Sequence, residues 1–198
     1  MPRSFREHVD EEILEGAASL FAQHGFAQTS LQAVADAVGL SKAGLLHHFP
    51  TKDALFTAAQ DVVRVQSERV HGMVADLPPG QARDRRALEL LVDIALDRPG
   101  LVALALGPLS HPDTSDPKTG DIAGDGGRIF EIFALDPQTG DPERLVRVMG
   151  ALSALAVLSL AANRAGERTG WRPHIVATCL DALGYHHAAR PETEHGKA

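Results

Sequence analysis

Hydrophobic positions recur at three- and four-residue spacing along nearly the whole chain, and no stretch alternates with the period of a half-buried strand. From Phe5 to His24, Ile13, Leu14, Ala17, Leu20 and Phe21 share one face, while Glu7, Asp10, Glu11 and Glu15 take others. That pattern predicts an amphipathic helix stopped by Gly25. Thr29-Ser30-Leu31-Gln32 has the form of a capping box, with the Thr29 hydroxyl on the amide three residues ahead and Gln32 reaching back. It opens a second helix with Leu31, Val34, Ala35 and Val38 on its apolar face, broken by Gly39. Ser41 opens a third, in which Leu45 and Phe49 face inward and Lys42, Ala43, Leu46 and His47 face elsewhere. Pro50 ends it, because the residue before a proline disfavours the helical region.

Thr51 caps a long helix that the pattern carries to Leu77, closed by Pro78-Pro79-Gly80. Further helices are expected over Ala82–Asp97, over the apolar run Leu101–Leu106, and over Ile129–Leu135. Arg98-Pro99-Gly100 reads as a turn and residues 111–127 as a loop. Asp141-Pro142-Glu143 is a strong helix start, with a capping acid and proline at the first helical position. The helix it opens runs to Asn163 and is apolar almost all round. A last helix is expected over residues 173–187, and the polar tail 190–198 is expected to be disordered. The fold class that follows is all-α. The expected division is an N-terminal three-helix unit over 1–54, a larger helical domain over 55–189, and the tail.

Composition narrows the function. Hydrophobic residues make up 44% of the 198, enough for a sizeable core. The net charge is -7, and residues 1–60 carry Arg3, Arg6, Lys42 and Lys52 against seven acids. Bulk charge therefore does not draw this chain to nucleic acid, and any such affinity must come from local geometry. The single cysteine, Cys179, excludes an internal disulfide framework and fits a reducing compartment. The N-terminus lacks the apolar core of a signal peptide. The longest apolar run, near Ala151–Ala162, is short for a membrane span and holds serines. A cytoplasmic protein with no membrane partner is expected.

The stretch Thr29–Lys52 reads as a helix-turn-helix, which places its second helix in a DNA major groove. Here the chain resembles the TetR family of transcriptional regulators. The resemblance is carried by Thr29, Val34-Ala35, Ala37-Val38-Gly39-Leu40-Ser41, Lys42, Ala43-Gly44, Leu45, His47-His48-Phe49 and Lys52-Asp53-Ala54-Leu55, with LFAQHGFAQTS upstream. It covers about residues 10–56. Leu46 stands where the family commonly has a tyrosine, and Gly44 where it has a hydroxyl or small residue. The resemblance implies a DNA-binding helix-turn-helix domain followed by a helical ligand-binding and dimerisation domain. It implies that Ser41, Lys42, Ala43, Gly44, Leu46 and His47 line the groove side, with Lys42 donating to guanine and Ala43 and Leu46 touching thymine methyls. Thr29, His48 and Lys52 would hold phosphates, aided by the amides of the helix after Pro50. The plainer alternatives are a solvated helix start for Lys42 and a surface histidine for His48. Arg3 and Arg6 form a candidate minor-groove arm, with simple disorder as the alternative.

The resemblance further implies a homodimer through the helices 143–163 and 173–187, where Gly150, Ala151, Ala154 and Ala161 among leucines allow close approach. Two recognition helices would then read a palindromic operator in double-stranded DNA. A small apolar or amphipathic effector is expected in the second domain, against the candidate lining residues Leu91, Leu104, Phe130, Phe133, Met149 and Ser153. No cofactor, metal site or catalytic set is expected. His47 and His48 point about 100° apart on a helix, a poor shared metal site. Asp121–Gly126 lacks the middle acid of a calcium loop and has Ile132 at its twelfth place. There is no Gly-x-Ser-x-Gly run. The reading is a repressor released by its ligand. The alternatives are an effector-independent or activating DNA-binding regulator, or a helical ligand carrier or enzyme with an incidental N-terminal motif.

Overall fold

The structure is a computed structural model that describes residues 3–110, 128–136 and 141–185. Among the described residues all regular structure is helical. The elements are α1 (Arg3–Gln28), α2 (Leu31–Ala37), α3 (Lys42–His48), α4 (Lys52–Val74), α5 (Gln81–Asp97), α6 (Pro99–Ser110), a short helical segment over 128–132, α7 (Pro142–Ala165) and α8 (Arg168–Ala182). The expected loop 111–127 and the tail 190–198 lie outside the described residues.

Several element boundaries differ from the sequence reading. Arg3 and Arg6 fall within α1, not in an extended arm. Gly25, at φ 78° and ψ 164°, kinks α1 where a stop was expected, and one more turn follows. The cap of α2 is Ser30, whose hydroxyl accepts from the Ala33 amide at 3.0 Å. Thr29 instead donates its hydroxyl back to the Gly25 carbonyl at 2.8 Å, and Gln32 bonds Asp36 rather than its own cap. α6 begins at Pro99 and runs through Gly107-Pro108, and α8 begins at Arg168, five residues before the interior Pro173.

Two hydrophobic clusters hold the molecule. The first joins Ile13, Ala17 and Phe21 of α1, Val34 and Ala35 of α2, Leu45 of α3, Leu55, Phe56 and Ala59 of α4, and Leu101 and Leu104 of α6. Phe21, Phe26 and Phe56 meet at its centre with ring centroids 5.0–5.8 Å apart, two of the three contacts edge-on. The second joins α5, α7 and α8 with the last turns of α4 and residues 130–135. α6 contributes to both, through Leu101 and Leu104 on one side and Leu106 on the other. The two clusters therefore meet through α4 and α6.

A buried polar knot ties the second cluster. Asp84, fully buried, accepts from Arg144 at 2.6 Å and from the Tyr185 hydroxyl at 2.8 Å through one oxygen. Burial and the neighbouring Asp84 push the Tyr185 hydroxyl above its ordinary value. Arg83 caps the carbonyls of Glu131 and Ile132, so residues 128–136 are pinned to α5. α7 has the length and hydropathy of a membrane span, with 24 residues and a window hydropathy of 2.0. It packs against α5, α6 and α8 and buries Val148, Leu152, Leu155 and Ala162 in that core.

Candidate nucleic-acid interface and ligand cavity

The turn between α2 and α3 is set by Gly39. Its φ of 71° lies in the left-handed region, and the chain wraps so that the Leu40 amide reaches the Ala35 carbonyl at 2.9 Å. Ser41 then caps α3 by accepting from the Gly44 amide at 3.0 Å. With Leu45 fully buried, helical geometry turns the opposite face outward. Ala43 and His47 are exposed there, Lys42 is exposed at the first position of the helix, and Gly44 and Leu46 are half-buried. Lys42 makes no hydrogen bond or ion pair among the described residues. Thr51 caps α4 by accepting from the Ala54 amide at 3.0 Å, so the first turn of α4 ends beside α3.

The three expected phosphate holders are drawn into the scaffold. Thr29 is 3% exposed and its hydroxyl is spent on the carbonyls of Gly25 and Leu20, so it presents no donor to a phosphate. Lys52 donates to the carbonyls of Phe26, Ala27 and Thr29 at 2.8–3.3 Å, with its ammonium 4.4 Å from the centre of the Phe26 ring. It thereby closes the open carbonyl end of α1. His48 Nδ1 lies 2.5 Å from Asp10, which ties the end of α3 to α1. These contacts fix the angle at which α3 is presented.

A cavity of about 50 Å³ lies between α4, α5, α6 and α7. Of the expected lining residues only Leu91 borders it. Leu104 is buried in the N-terminal cluster. Phe130 and Phe133 are core residues, Met149 packs on that core, and Ser153 is exposed on the outer face of α7. The periodicity that marked them as inward-facing does not distinguish a wall from a filled core. The wall residues that sequence reasoning missed include Ile94, Leu101, Val102 and Ala105, together with the polar Gln66, Ser67 and Arg98. Arg98 had been read only as part of a turn, and its long-range contacts leave no local signal.

A clamp joins the two clusters at the α5–α6 corner. Glu15 of α1 accepts from the amides of Gly100 and Leu101, the latter at 3.1 Å, and so caps α6 from outside. Arg98 Nη2 donates to Glu11 at 2.6 Å. Burial pushes the Glu15 carboxyl above its ordinary value, and the two amides pull it back only in part.

Residues 13–59 match the family described as bacterial regulatory proteins, tetR family. That match covers the helix-turn-helix part of the chain. Its N-terminal part is 34% identical over 73 residues to the HTH-type transcriptional repressor Rv1474c of Mycobacterium tuberculosis, covering 35% of this chain and 37% of that protein. It is 36% identical over 66 residues to the HTH-type transcriptional repressor AcnR of Corynebacterium diphtheriae, covering 33% of each. The matches thus span about a third of the length of these relatives. AibR, solved in complex with isovaleryl coenzyme A and operator DNA, shares the fold with a TM-score of 0.53 at 21% identity, over 90% of this chain and 100% of that one. A TetR-like regulator from Rhodococcus sp. RHA1 does so with a TM-score of 0.53 at 20% identity, over 93% and 98% of the two chains.

Proposed function

We propose that this protein is a cytoplasmic, homodimeric transcriptional repressor of the tetR family, not an enzyme, which a small ligand releases from a palindromic operator. The observation that carries the reading is the free face of α3. Ala43 and His47 stand exposed opposite the fully buried Leu45, and Lys42 is exposed at the first position of the helix. The relatives that match this region are named transcriptional repressors, and AibR was solved with a ligand and operator DNA together. In this reading Lys42 meets a base edge, Ala43 and Leu46 meet thymine methyls, and the capped start of α4 meets a phosphate. Thr29, His48 and Lys52 hold the frame. The cavity beside Leu91 takes the ligand. The DNA-binding domain of 1–54 then has a core that draws on Leu55, Phe56, Ala59, Leu101 and Leu104 of the ligand-binding and dimerisation domain.

The dimer is supported by an outward stripe on α7, where Val146, Gly150, Ser153 and Val157 are exposed at helical spacing. Val146 and Val157 are 68% and 67% exposed, unusual for valines on so apolar a helix.

The test is fluorescence anisotropy on an operator selected from random duplexes, followed by single-base variants. Lys42→Ala is expected to weaken binding about tenfold or more and to relax preference at one position of each half-site. An equal loss on every variant would remove the base-reading role, and failure of the wild-type dimer to enrich any palindrome would sink the reading.

A further inference from the structure

The cavity has one charged wall residue, and it is shared with the DNA-binding unit. Gln66, Ser67 and Arg98 are the polar residues on a wall that is otherwise aliphatic. They are not scattered. Gln66, Ile94 and Arg98 also border an open groove on the outer side of α4 and α5. The polar end of the cavity is therefore its mouth, and the apolar end lies inside.

Arg69 and Arg98 place positive charge at that mouth. Two acids border the groove, but both are already matched. Asp93 is held in a fork by Arg172 at 2.5 and 2.8 Å, and Asp97 lies 3.3 Å from Arg168. Arg69 on the same groove makes no ion pair among the described residues. Arg98 has its Nη2 on Glu11 at 2.6 Å and its Nε 3.7 Å from Asp97, while its Nη1 makes no hydrogen bond among the described residues.

We infer that the effector is a small amphipathic anion whose head group takes Arg98 in competition with Glu11, so that ligand and DNA-binding unit draw on one guanidinium. The inference rests on the ligand-responsive reading of the same cavity. A carboxylate docks in a fork either on Nη1 and Nη2 or on Nε and Nη2. Nη2 has two N–H groups, one toward each fork, and Glu11 uses one of them. An anion in that same fork displaces Glu11, and one in the other fork leaves it in place but shares the guanidinium's charge. An anion seated at the mouth thus weakens the tie between α1 and the α5–α6 corner, next to the Glu15 cap on α6. By linkage, whatever tightens the α1 tie weakens the anion, and the reverse. The cavity of about 50 Å³ sets the tail: it holds a short aliphatic chain, roughly the volume of a few water-sized spheres.

The experiment uses the full-length protein and its selected operator. Butyrate, hexanoate and octanoate are titrated by calorimetry beside butanol, hexanol and octanol, with octanoyl-coenzyme A as an arm that separates a free carboxylate from an acyl carrier's phosphates. At least one anion is expected to bind about tenfold or more tighter than the alcohol of equal length, and to lower operator affinity. In Arg98→Gln that preference should vanish while alcohol binding persists; Arg98→Lys should restore part of it. In Glu11→Gln the anion should bind at least as well, yet its effect on operator affinity should shrink. Equal binding of acids and alcohols, no binding of any probe, or a preference that survives in folded Arg98→Gln would overturn the assignment of the head group. Undiminished operator release in Glu11→Gln would overturn the competition. Operator binding without ligand is measured separately, so failure of the repressor reading shows itself independently of these outcomes.

Discussion

Lys52 shows how a residue's position can be legible while its work is not. Its place after the recognition helix was clear from the sequence, and a phosphate contact was the natural expectation for an exposed cation. The fold instead brings three carbonyls from the end of α1 to within 2.8–3.3 Å of its ammonium, over the Phe26 ring. Those partners lie more than twenty residues away in the chain, and no local pattern announces them. Lys52→Met keeps the side chain's length and loses the donors. It is expected to destabilise the protein by about 1.5–3 kcal/mol, the range for hydrogen bonds to a charged group. Urea unfolding checks this. An unchanged midpoint would return Lys52 to a purely DNA-facing role.

Thr29 and Ser30 carry the same lesson at closer range. Either hydroxyl fits a cap by sequence, and the choice depends on which one the kink at Gly25 turns toward the α2 amides. The fold leaves Ser30 at the solvent edge and buries Thr29. The ligand-facing residues were harder still. Leu104 and Leu101 are three apart on one helix, and nothing in their spacing tells which borders a void.

Among elements, α6 is the one whose start controls the most. Gly100 packs so closely on α1 that an added Cβ would lie 2.5 Å from the Glu15 carbonyl oxygen and 2.9 Å from the Ser19 amide nitrogen. Neither neighbour is a flexible side-chain end. Gly100→Ala is therefore expected to cost about 1–3 kcal/mol by forcing α6 off α1, the usual range for overpacking. The loss should appear as a lower thermal midpoint together with weaker operator binding. A variant as stable as the wild type would mean that the corner yields freely.

The Glu15 cap adds a pH signature to the same contact. Its carboxyl is raised above 4.5 in the folded state by burial. The folded chain then holds this proton more tightly than the unfolded chain does. The group's stabilisation is fully present below about 4.5 and is lost as pH rises through the raised value. Glu15→Gln removes that slope, so its melting temperature should vary less across the acid range than that of the wild type. Parallel pH profiles for the two proteins would exclude the contribution.

For the whole molecule, the decisive question is assembly. One short recognition helix reads too few base pairs for a specific site, and two-fold pairing doubles the reading and fixes the spacing. The exposed valine stripe on α7 is the surface on which the proposed dimer depends. Val157→Asp sets a charge on that stripe without touching the buried side at Leu155 or Ser159. It is expected to shift the protein to monomer in sedimentation velocity while far-ultraviolet circular dichroism stays native-like. Operator affinity should fall by more than about tenfold as half-sites are read singly. A dimer that persists would move the interface elsewhere.

The sequence by itself determined the helical class, the turn at Gly39, the caps at Ser41, Thr51 and Asp141, and the outward face of α3. Each of these rests on spacing within a few residues, where side-chain period and backbone preference act directly. The tertiary structure alone decided which polar groups were spent on the frame, which apolar ones border a cavity, and that Arg98 and Gly100 meet Glu11 and Glu15 of α1 across the molecule. Those outcomes depend on contacts between residues far apart in the chain, such as the 87 positions separating Glu11 from Arg98. Their energy comes from partners that local periodicity does not record.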